Sequence, residues 1–259
     1  MQSILRGNNP VKGFLALLSF LTIIPTGVHD IYLAARSFYT VPLIGFIEGL
    51  IVVLPFYTSL PVGVKAVIAL LLSYIITGLN HVDGFADFVD AIASRKRGGE
   101  ALKVIKEPWK GPMAIASTIL LVLVTYTCLQ HLYKYTDIIV VAHILAAESM
   151  YLLAVFSNKP DYRGLGTLFI EESKKPPRVI ANIAVFLALL IVLVLVYASE
   201  PITTITFMAM SLGMMASVFY TYVKSHSILG YSNGDVLGFC YELTRTLVLL
   251  LAVIPLTIA

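Results

Sequence analysis

Seven long apolar stretches constrain this chain more than any other feature of its sequence. Each has 17 or more mostly apolar residues, which is the length that an α-helix needs to cross about 30 Å of hydrocarbon. They run from Val41 to Tyr57, Val62 to Leu79, Met113 to Leu132, Ile138 to Phe156, Val179 to Ala198, Ile202 to Val223, and Val236 to Ile258. Because helices satisfy their backbone polar groups within lipid, the pattern predicts an all-α polytopic integral membrane protein with about seven transmembrane helices.

An eighth apolar run, from Phe14 to Ile24, is shorter than the others. It has 11 residues before Pro25, which is too few for a span and favours a short N-terminal interfacial or re-entrant helix. The sequence has no internal repeat and no polar segment long enough for a soluble domain. We therefore expect residues 1–259 to form a single membrane domain.

The composition limits the partners of the chain. Hydrophobic residues make up 58% and charged residues 13%. These are too few charged residues for a water-facing surface, so the lipid bilayer must surround much of the protein. The net charge of +3 is too small to indicate a nucleic-acid partner. Cys128 and Cys240 lie inside apolar runs and offer no disulfide framework. The sequence leaves the oligomeric state open, and a homo-oligomer is compatible with it.

The positions of the basic residues predict the orientation in the membrane. With seven spans, the N-terminus and the long segments 80–112, 157–178 and 224–235 fall on one side, and they carry 15 Lys and Arg residues against two, Lys65 and Lys134, on the other. This bias predicts a multi-pass protein of the cell (plasma) membrane, with its N-terminus and long loops in the cytoplasm and its C-terminus outside.

Three aspartates follow the second apolar stretch at a regular spacing. Asp83, Asp87 and Asp90 stand at i, i+4 and i+7, and on a helix they would share one face. Like charges at this spacing repel one another, so a cation should lie beside them. Three carboxylates without thiolates suit Mg²⁺, and Gly84 would let a ligand approach the backbone closely. The alternative is a solvated helix face that balances the basic residues 95–97.

Other polar residues are candidates for substrate contacts. His81 precedes the aspartates and is as compatible with a buried polar group as with an acid or base. Lys103, Lys106 and Lys110 follow at helical spacing, and basic residues beside an acidic metal site suit a phosphate-bearing substrate. Gly-rich segments surround Arg163 and contain Asn233 and Asp235, which is typical of turns as well as of phosphate loops.

Several ionisable residues lie inside the apolar stretches, where a charge is costly unless it is paired or faces a polar cavity. Glu48, Glu148, Glu242 and Arg245 are therefore functional candidates. Glu242 and Arg245 are i, i+3 neighbours, so a mutual ion pair is an equally good explanation for these two.

The segment from Gly78 to Asp90 resembles the adenosylcobinamide-GDP ribazoletransferases, also called cobalamin synthases. That family reads approximately G-G-x-H-x-D-G-x-A-D-x-x-D-G here, and the chain departs from it at Leu79, where a second Gly is common, and at Ala91. Other segments match in order over most of the chain: Phe20-Leu21-Thr22 with Pro25, Pro42-Leu43-Ile44-Gly45, Ile105-Lys106 with Gly111, Gly164-Leu165-Gly166 with Phe169, and Leu229-Gly230 through Glu242.

The resemblance implies a reaction and a set of roles. Adenosylcobinamide-GDP and α-ribazole, or its 5′-phosphate, would be joined with release of GMP in a Mg²⁺-dependent step late in cobalamin biosynthesis. Asp83 and Asp87 would bind the metal, Asp90 would be a third ligand or the catalytic base, and His81 would complete the catalytic residues. We expect substrate contacts from Gly84, Lys106, Arg163, Asn233, Asp235 and Glu242.

Two other functions remain open from the residues. A CDP-alcohol-type membrane phosphotransferase also uses clustered aspartates and Mg²⁺, but its D-x-x-D-G-x-x-A-R pattern does not occur here, because Asp87 follows Ala86 where that family has Arg. A transporter or cation channel would concentrate polar groups near the bilayer midplane. The acids of the spans are compatible with that function, whereas the aspartate cluster in a loop favours an enzyme.

Overall fold

A computed structural model describes residues 9–197 and 201–258, and they contain helices and turns but no strand. Arg6, Ala198 and Ser199, which entered the sequence predictions, lie outside the described residues. The α-helices are α1 (Pro10–Leu21), α2 (Ile31–Arg36), α3 (Val41–Val53), α4 (Val62–Ile76), α5 (Asn80–Ser94), α6 (Gly98–Ile105), α7 (Pro112–His131), α8 (Thr136–Phe156), α9 (Leu165–Ser173), α10 (Pro176–Tyr197), α11 (Pro201–Ile228) and α12 (Gly234–Ile258). Short 3₁₀ turns at Phe38–Thr40 and Leu54–Tyr57 flank α3.

Six continuous segments of the described chain are long and apolar enough to cross a membrane. They are Phe38–Tyr57, Pro112–His131, Thr136–Phe156, Pro176–Leu193, Thr204–Ile228 and Gly234–Leu256, and each coincides with one of the seven predicted spans. A bent pair, α4 with α5, brings the number to seven if it counts as one span. The all-α, polytopic membrane architecture is therefore confirmed.

The second predicted span, Val62 to Leu79, is the one that differs from expectation. It ends at Ile76 after 15 residues, about 22 Å of helix against about 30 Å of hydrocarbon. Gly78 and Leu79 then adopt left-handed conformations, with φ angles of 60° and 63°. These two residues turn the chain, so that α5 leaves α4 at 84°.

The short N-terminal helix forms as predicted. The Asn9 side chain accepts hydrogen bonds from the backbone amides of Val11 and Lys12 at 3.1 and 3.3 Å, which satisfies amides that the first helical turn leaves without partners. Helix α1 has 12 residues and packs mainly against α2. Its length agrees with a helix that does not span the bilayer.

The core is built around α8, which is buried along nearly its whole length. Such a helix is apolar on every side because neighbours surround it, and here they include α3, α11 and α12. Helix α3 approaches it through Gly45 and Gly49: a Cβ on Gly49 would lie only 2.8 Å from the Val140 Cα. This small-xxx-small spacing permits the close backbone packing that joins helices in membranes.

Helix α12 connects the core to the polar end of the molecule. It packs against α7, α8 and α11 inside the bundle and against α5 near its beginning, at Asp235 and Gly238. Its first turn, at Gly234 and Asp235, therefore lies beside the aspartates of α5. This contact defines the position of the candidate site.

Candidate active site

Close backbone contacts fix α5 against α12. A Cβ on Gly84 would lie 2.8 Å from the Asp235 carbonyl oxygen and 3.0 Å from its Cα, and a Cβ on Gly238 would lie 3.2 Å from the Cα of His81. The space beside Gly84 is thus filled by the backbone of α12. The sequence pattern did not reveal this neighbouring helix, and the approach of a ligand to Gly84 stays a prediction.

Two of the three aspartates share a cation. Lys110 Nζ lies 2.8 Å from Asp83 Oδ1 and also donates a hydrogen bond to Asp87 Oδ1. The side chain of Asp83 is 63% exposed and that of Asp87 only 10%, so the pair spans the boundary between solvent and protein. A lysine of this chain therefore contacts both acids, and the expected Mg²⁺ stays a prediction.

The pKa of Lys110 reflects this position. Burial lowers the pKa of the ammonium group, but hydrogen bonds and charges from Asp83 and Asp87 outweigh it, so that the pKa is raised above its ordinary value. Lys110 was one of three lysines that we noted at helical spacing, but its contact with both carboxylates was not predicted. Its only sequence signal is its place directly before Gly111-Pro112, where a new helix begins.

Asp90 has a different environment from the other two aspartates. Its carboxylate accepts hydrogen bonds from the backbone amides of Gly111, at 2.5 Å, and Ala114, at 3.1 Å. These amides belong to the start of α7, where the helix leaves donors unpaired and favours negative charge. The structure therefore does not bring Asp90 to the cation between Asp83 and Asp87, because both of its oxygens bind the end of α7.

Asp235 and Asn233 lie at the start of α12. Asn233 Oδ1 accepts a hydrogen bond from the Val236 amide, and its Nδ2 donates to Asp235 Oδ2, both at 3.0 Å. The first bond caps the helix. The second orients the Asp235 carboxylate beside α5.

A cavity of about 490 Å³ opens at this place. Four of the predicted site residues line it, namely His81, Asp83, Asn233 and Asp235. The ring of His81 also packs on that of Tyr241, with 4.4 Å between centroids. The Gly164–Thr167 segment forms another wall, where a Cβ on Gly166 would lie 2.5 Å from the Gly234 backbone nitrogen.

Part of the cavity lining is aromatic. Phe20 of α1, Phe38 and Phe169 of α9 line it, with the rings of Phe20 and Phe169 stacked at 4.9 Å and that of Phe38 edge-on to Phe169 at 5.1 Å. The sequence did not identify these as site residues, because an isolated Phe in an apolar segment has no signal that separates it from core packing. The cavity lining therefore combines carboxylates with flat apolar rings.

Lys106 and Arg163 lie at the edge of the site rather than inside it. Both are exposed, and Lys106 Nζ lies 5.2 Å from the ring centroid of Tyr162, which lines the cavity. Arg163 stands between Tyr162 and Gly164, both of which also line it. Their contact with substrate stays a prediction.

Glu242 does not line the cavity, and its contact with substrate stays a prediction. It is completely buried and accepts a hydrogen bond from Arg245 Nη2 at 2.5 Å, so the alternative of a mutual ion pair is the one observed. Glu48 and Glu148 also have partners: Tyr241 Oη donates to Glu48 at 2.5 Å, and Asn182 Nδ2 donates to Glu148 at 3.0 Å. Burial of such acids is tolerated because each is hydrogen-bonded.

The donor set around the cavity bears on metal binding. In residues 9–197 and 201–258, no three His, Cys, Asp or Glu side chains form a group that could hold a metal ion by themselves. Mg²⁺ commonly binds through one or two carboxylates and takes its other ligands from water and substrate phosphates. The two carboxylates that already converge on one cation, Asp83 and Asp87, fit that kind of site.

Comparison with known proteins identifies the family. Residues 13–253 match the family model described as cobalamin-5-phosphate synthase. The chain is 31% identical to an adenosylcobinamide-GDP ribazoletransferase of Pyrobaculum calidifontis, over 89% of this chain and 94% of the relative. It is 30% identical to that of Chlorobaculum tepidum, over 93% and 95%, and 31% identical to that of Pyrococcus abyssi, over 90% and 95%.

No solved structure matches this chain. The sequence comparisons cover nearly all of the described helices, including every segment that forms the cavity. They separate the chain from CDP-alcohol phosphotransferases and from transporters. The chain belongs to the cobalamin-5-phosphate synthase family.

Proposed function

We propose that this chain joins adenosylcobinamide-GDP to α-ribazole, or to α-ribazole 5′-phosphate, and releases GMP in the last steps of cobalamin biosynthesis. One observation supports the proposal most directly: in a chain of this family, Asp83 and Asp87 converge on a single cation beside a cavity that Asp235 also lines. Paired carboxylates around a cation next to a polar cavity suit the handling of a diphosphate.

The reaction exchanges the phosphoanhydride bond of the diphosphate for a phosphate ester bond. A ribazole hydroxyl attacks the phosphorus that carries the cobinamide, the new O–P bond forms, and the bond to the bridging diphosphate oxygen breaks, so that GMP leaves with that oxygen. Mg²⁺ held by Asp83 and Asp87 would neutralise charge on the diphosphate. Lys110 contacts these carboxylates. When Mg²⁺ binds there, the Lys110 ammonium group would be displaced and would then offer a second positive charge to the leaving phosphate.

The proton of the attacking hydroxyl needs an acceptor. Asp90 was expected to be either a third metal ligand or the base, but its two oxygens bind the amides of α7. We assign this role to Asp235, because its carboxylate lines the cavity and is oriented by Asn233. In this assignment, Asp90 acts by holding the start of α7, and therefore Lys110 just before it, in place.

The aromatic lining has a role in orienting the substrates. Phe20, Phe38 and Phe169 present flat apolar surfaces in the same cavity as the carboxylates. Planar heterocycles such as guanine and the ribazole base bind well against such rings, whereas phosphates require the polar lining. The two kinds of lining therefore separate the bases from the phosphates and limit the ways in which the substrates can enter.

Activity assays on single variants test the assignment. The purified protein in nanodiscs is given both substrates and Mg²⁺, and the corrinoid product and GMP are identified by mass spectrometry. Asp83→Asn should lower turnover by about 10²-fold or more. The control is Asp137, an acid in the first turn of α8, and Asp137→Asn should retain activity. Near-native GMP release by Asp83→Asn at saturating Mg²⁺ would overturn the proposal.

Metal binding is tested without turnover. Mn²⁺ in place of Mg²⁺ gives a paramagnetic signal that reports binding directly, and we expect Asp83→Asn and Asp87→Asn to lose it in the presence of substrate. Asp90→Asn should keep the signal, since the Asp90 carboxylate binds the backbone amides at the start of α7. If Asp90→Asn abolished the signal and Asp87→Asn did not, the metal ligands would have to be reassigned.

We further propose that the protein lies in the plasma membrane with this site facing the cytoplasm. The support is the charge bias of 15 basic residues on the long segments against two on the short ones. Cysteine variants at Lys174 and Lys134, treated with a membrane-impermeant maleimide, test it. In intact cells Lys134→Cys should react and Lys174→Cys should not, and the reverse result would invert the topology.

A further inference from the structure

An apolar groove opens on the side of the bundle, away from the candidate active site. It has a volume of about 540 Å³. Residues of α5, α7, α11 and α12 line it, including Val89, Met113, Ala216, Tyr220, Phe239 and Leu247. Because α7, α11 and α12 are long and apolar enough to cross a membrane, we expect the groove to face lipid.

The two faces of α5 explain where the groove is. The aspartates occupy one face, and Phe85, Val89 and Ile92 repeat the same i, i+4, i+7 spacing on another face, where all three line the groove. Phe85 stacks on Phe239 of α12 at 5.2 Å. Since α5 bends away from α4 by 84°, its apolar face covers a gap between helices instead of entering the core.

Basic residues border one end of the groove. Arg95, Lys96 and Arg97 are exposed and directly follow the end of α5, two residues beyond the lining residue Ala93. Lys224 approaches from α11, with its Nζ 5.7 Å from the ring centroid of Tyr220, another lining residue. We call these four residues the basic rim.

The long axis of the groove runs from the basic rim into the apolar part of the bundle. Along α12 the lining extends from Phe239 to Leu247, which is about 12 Å at the rise of an α-helix. A ligand that fills it would need an anionic group at one end and an apolar chain at the other. An acyl lipid has this form, and it is already present in the bilayer.

We propose that the groove binds one anionic phospholipid, with its phosphate at the basic rim and one acyl chain between α7 and α11. The negative head group distinguishes this site from general contact with lipid tails, since clusters of Lys and Arg at the membrane surface select anionic lipids. The site does not use any residue of the proposed reaction.

Native mass spectrometry of the full-length protein tests the proposal. The protein is purified from nanodiscs that contain equal amounts of phosphatidylglycerol and phosphatidylcholine with identical acyl chains, and retained lipid is counted. We expect one phosphatidylglycerol per chain. Ala216→Trp, which places a large ring in the groove, should lower its retention about tenfold, and Leu212→Trp, on an exposed part of α11 outside the groove, should not.

A second variant separates the head group from the chain. Replacing all four residues of the basic rim by Gln should lower the preference for phosphatidylglycerol over phosphatidylcholine about tenfold or more, whereas Lys134→Gln at the opposite end should preserve it. The rim side chains are on the surface, so this variant tests selectivity even if Ala216→Trp fails to fold. Equal retention of both lipids by the unmodified protein would overturn the proposal. The proposal would also be overturned if Ala216→Trp changed the oligomeric mass without losing lipid, because a second chain would then be the occupant of the groove.

Discussion

Replacing Gly84 by Ala tests whether the contact between α5 and α12 sets the geometry of the site. The added Cβ would lie 2.8 Å from the Asp235 carbonyl oxygen, where ordinary contacts begin at 3.4 Å, so the helices must separate by about 0.6 Å. Both atoms that the Cβ meets most closely belong to the backbone of Asp235, and a flexible side chain cannot relieve the clash. A methyl group forced into such packing costs about 1–3 kcal/mol.

The same displacement should affect catalysis more than binding. Asp83 and Asp235 lie on opposite sides of this contact, and reacting groups must be held within about 0.5 Å of their productive positions. A misplacement of about 1 Å can cost about 10²-fold, so we expect kcat to fall about tenfold in Gly84→Ala while KM changes less. GMP release and thermal unfolding in nanodiscs measure the two effects.

A matched glycine provides the control. Gly99 lies in the first turn of α6, and a Cβ there has nothing within 4 Å, so Gly99→Ala should leave kcat unchanged and keep or slightly raise stability. If Gly84→Ala and Gly99→Ala gave the same kcat and the same unfolding temperature, the close approach of α5 to α12 would not determine the site.

The structure supports three further predictions. Lys110→Ala should destabilise the metal-free protein by about 1–2 kcal/mol, because two carboxylates lose their shared donor, and should increase the rise in unfolding temperature that Mg²⁺ produces. An unchanged response to Mg²⁺ would contradict this. Asp90→Ala should lose about 1–2 kcal/mol of stability, because the cap of α7 is removed. Asp90→Asn should keep more than half of the activity. If Asp90→Asn were stable but inactive, Asp90 would again be the candidate base. Leu79→Gly should raise stability in chemical unfolding by about 1 kcal/mol, because it relieves a left-handed non-glycine residue, and a loss of stability would show that the Leu79 side chain has a packing role.

The membrane architecture was readable from the sequence because it depends on length and hydropathy alone. Six of the seven predicted spans exist as continuous helices, and even α8, which is covered by protein, had the same signal as a lipid-facing helix. The bend after α4 was not predicted, since a single glycine does not reveal that Leu79 also adopts a left-handed conformation. The apolar run from Val62 to Leu79 therefore appeared to be one straight span.

The site was predicted in part, and the errors have a common physical origin. Spacing on one helix correctly indicated that Asp83 and Asp87 share a face. It could not show that Asp90, one turn later, meets the end of α7, because that contact joins residues 21 and 24 positions apart. The contacts of Lys110 with α5 and of Gly84 with α12 are tertiary in the same way. Local periodicity assigns residues to a face, whereas the partner of that face is determined by how the helices pack.

Helix α12 shows how the apolar core and the polar site depend on each other. Apolar contacts alone let packed helices shift with little loss of stability, since cores tolerate rearrangement when their volume is kept. Directional contacts inside the bundle do not tolerate such a shift. Tyr241 donates a hydrogen bond to Glu48 of α3, and the Arg245 guanidinium lies 4.8 Å from the ring centroid of Tyr74 of α4. Tyr241 also packs on His81 of α5. A shift of α12 along its axis would break these contacts and would move Asp235, on the same helix, relative to Asp83. The buried polar residues therefore contribute to the site by fixing the position of α12, although they do not line the cavity.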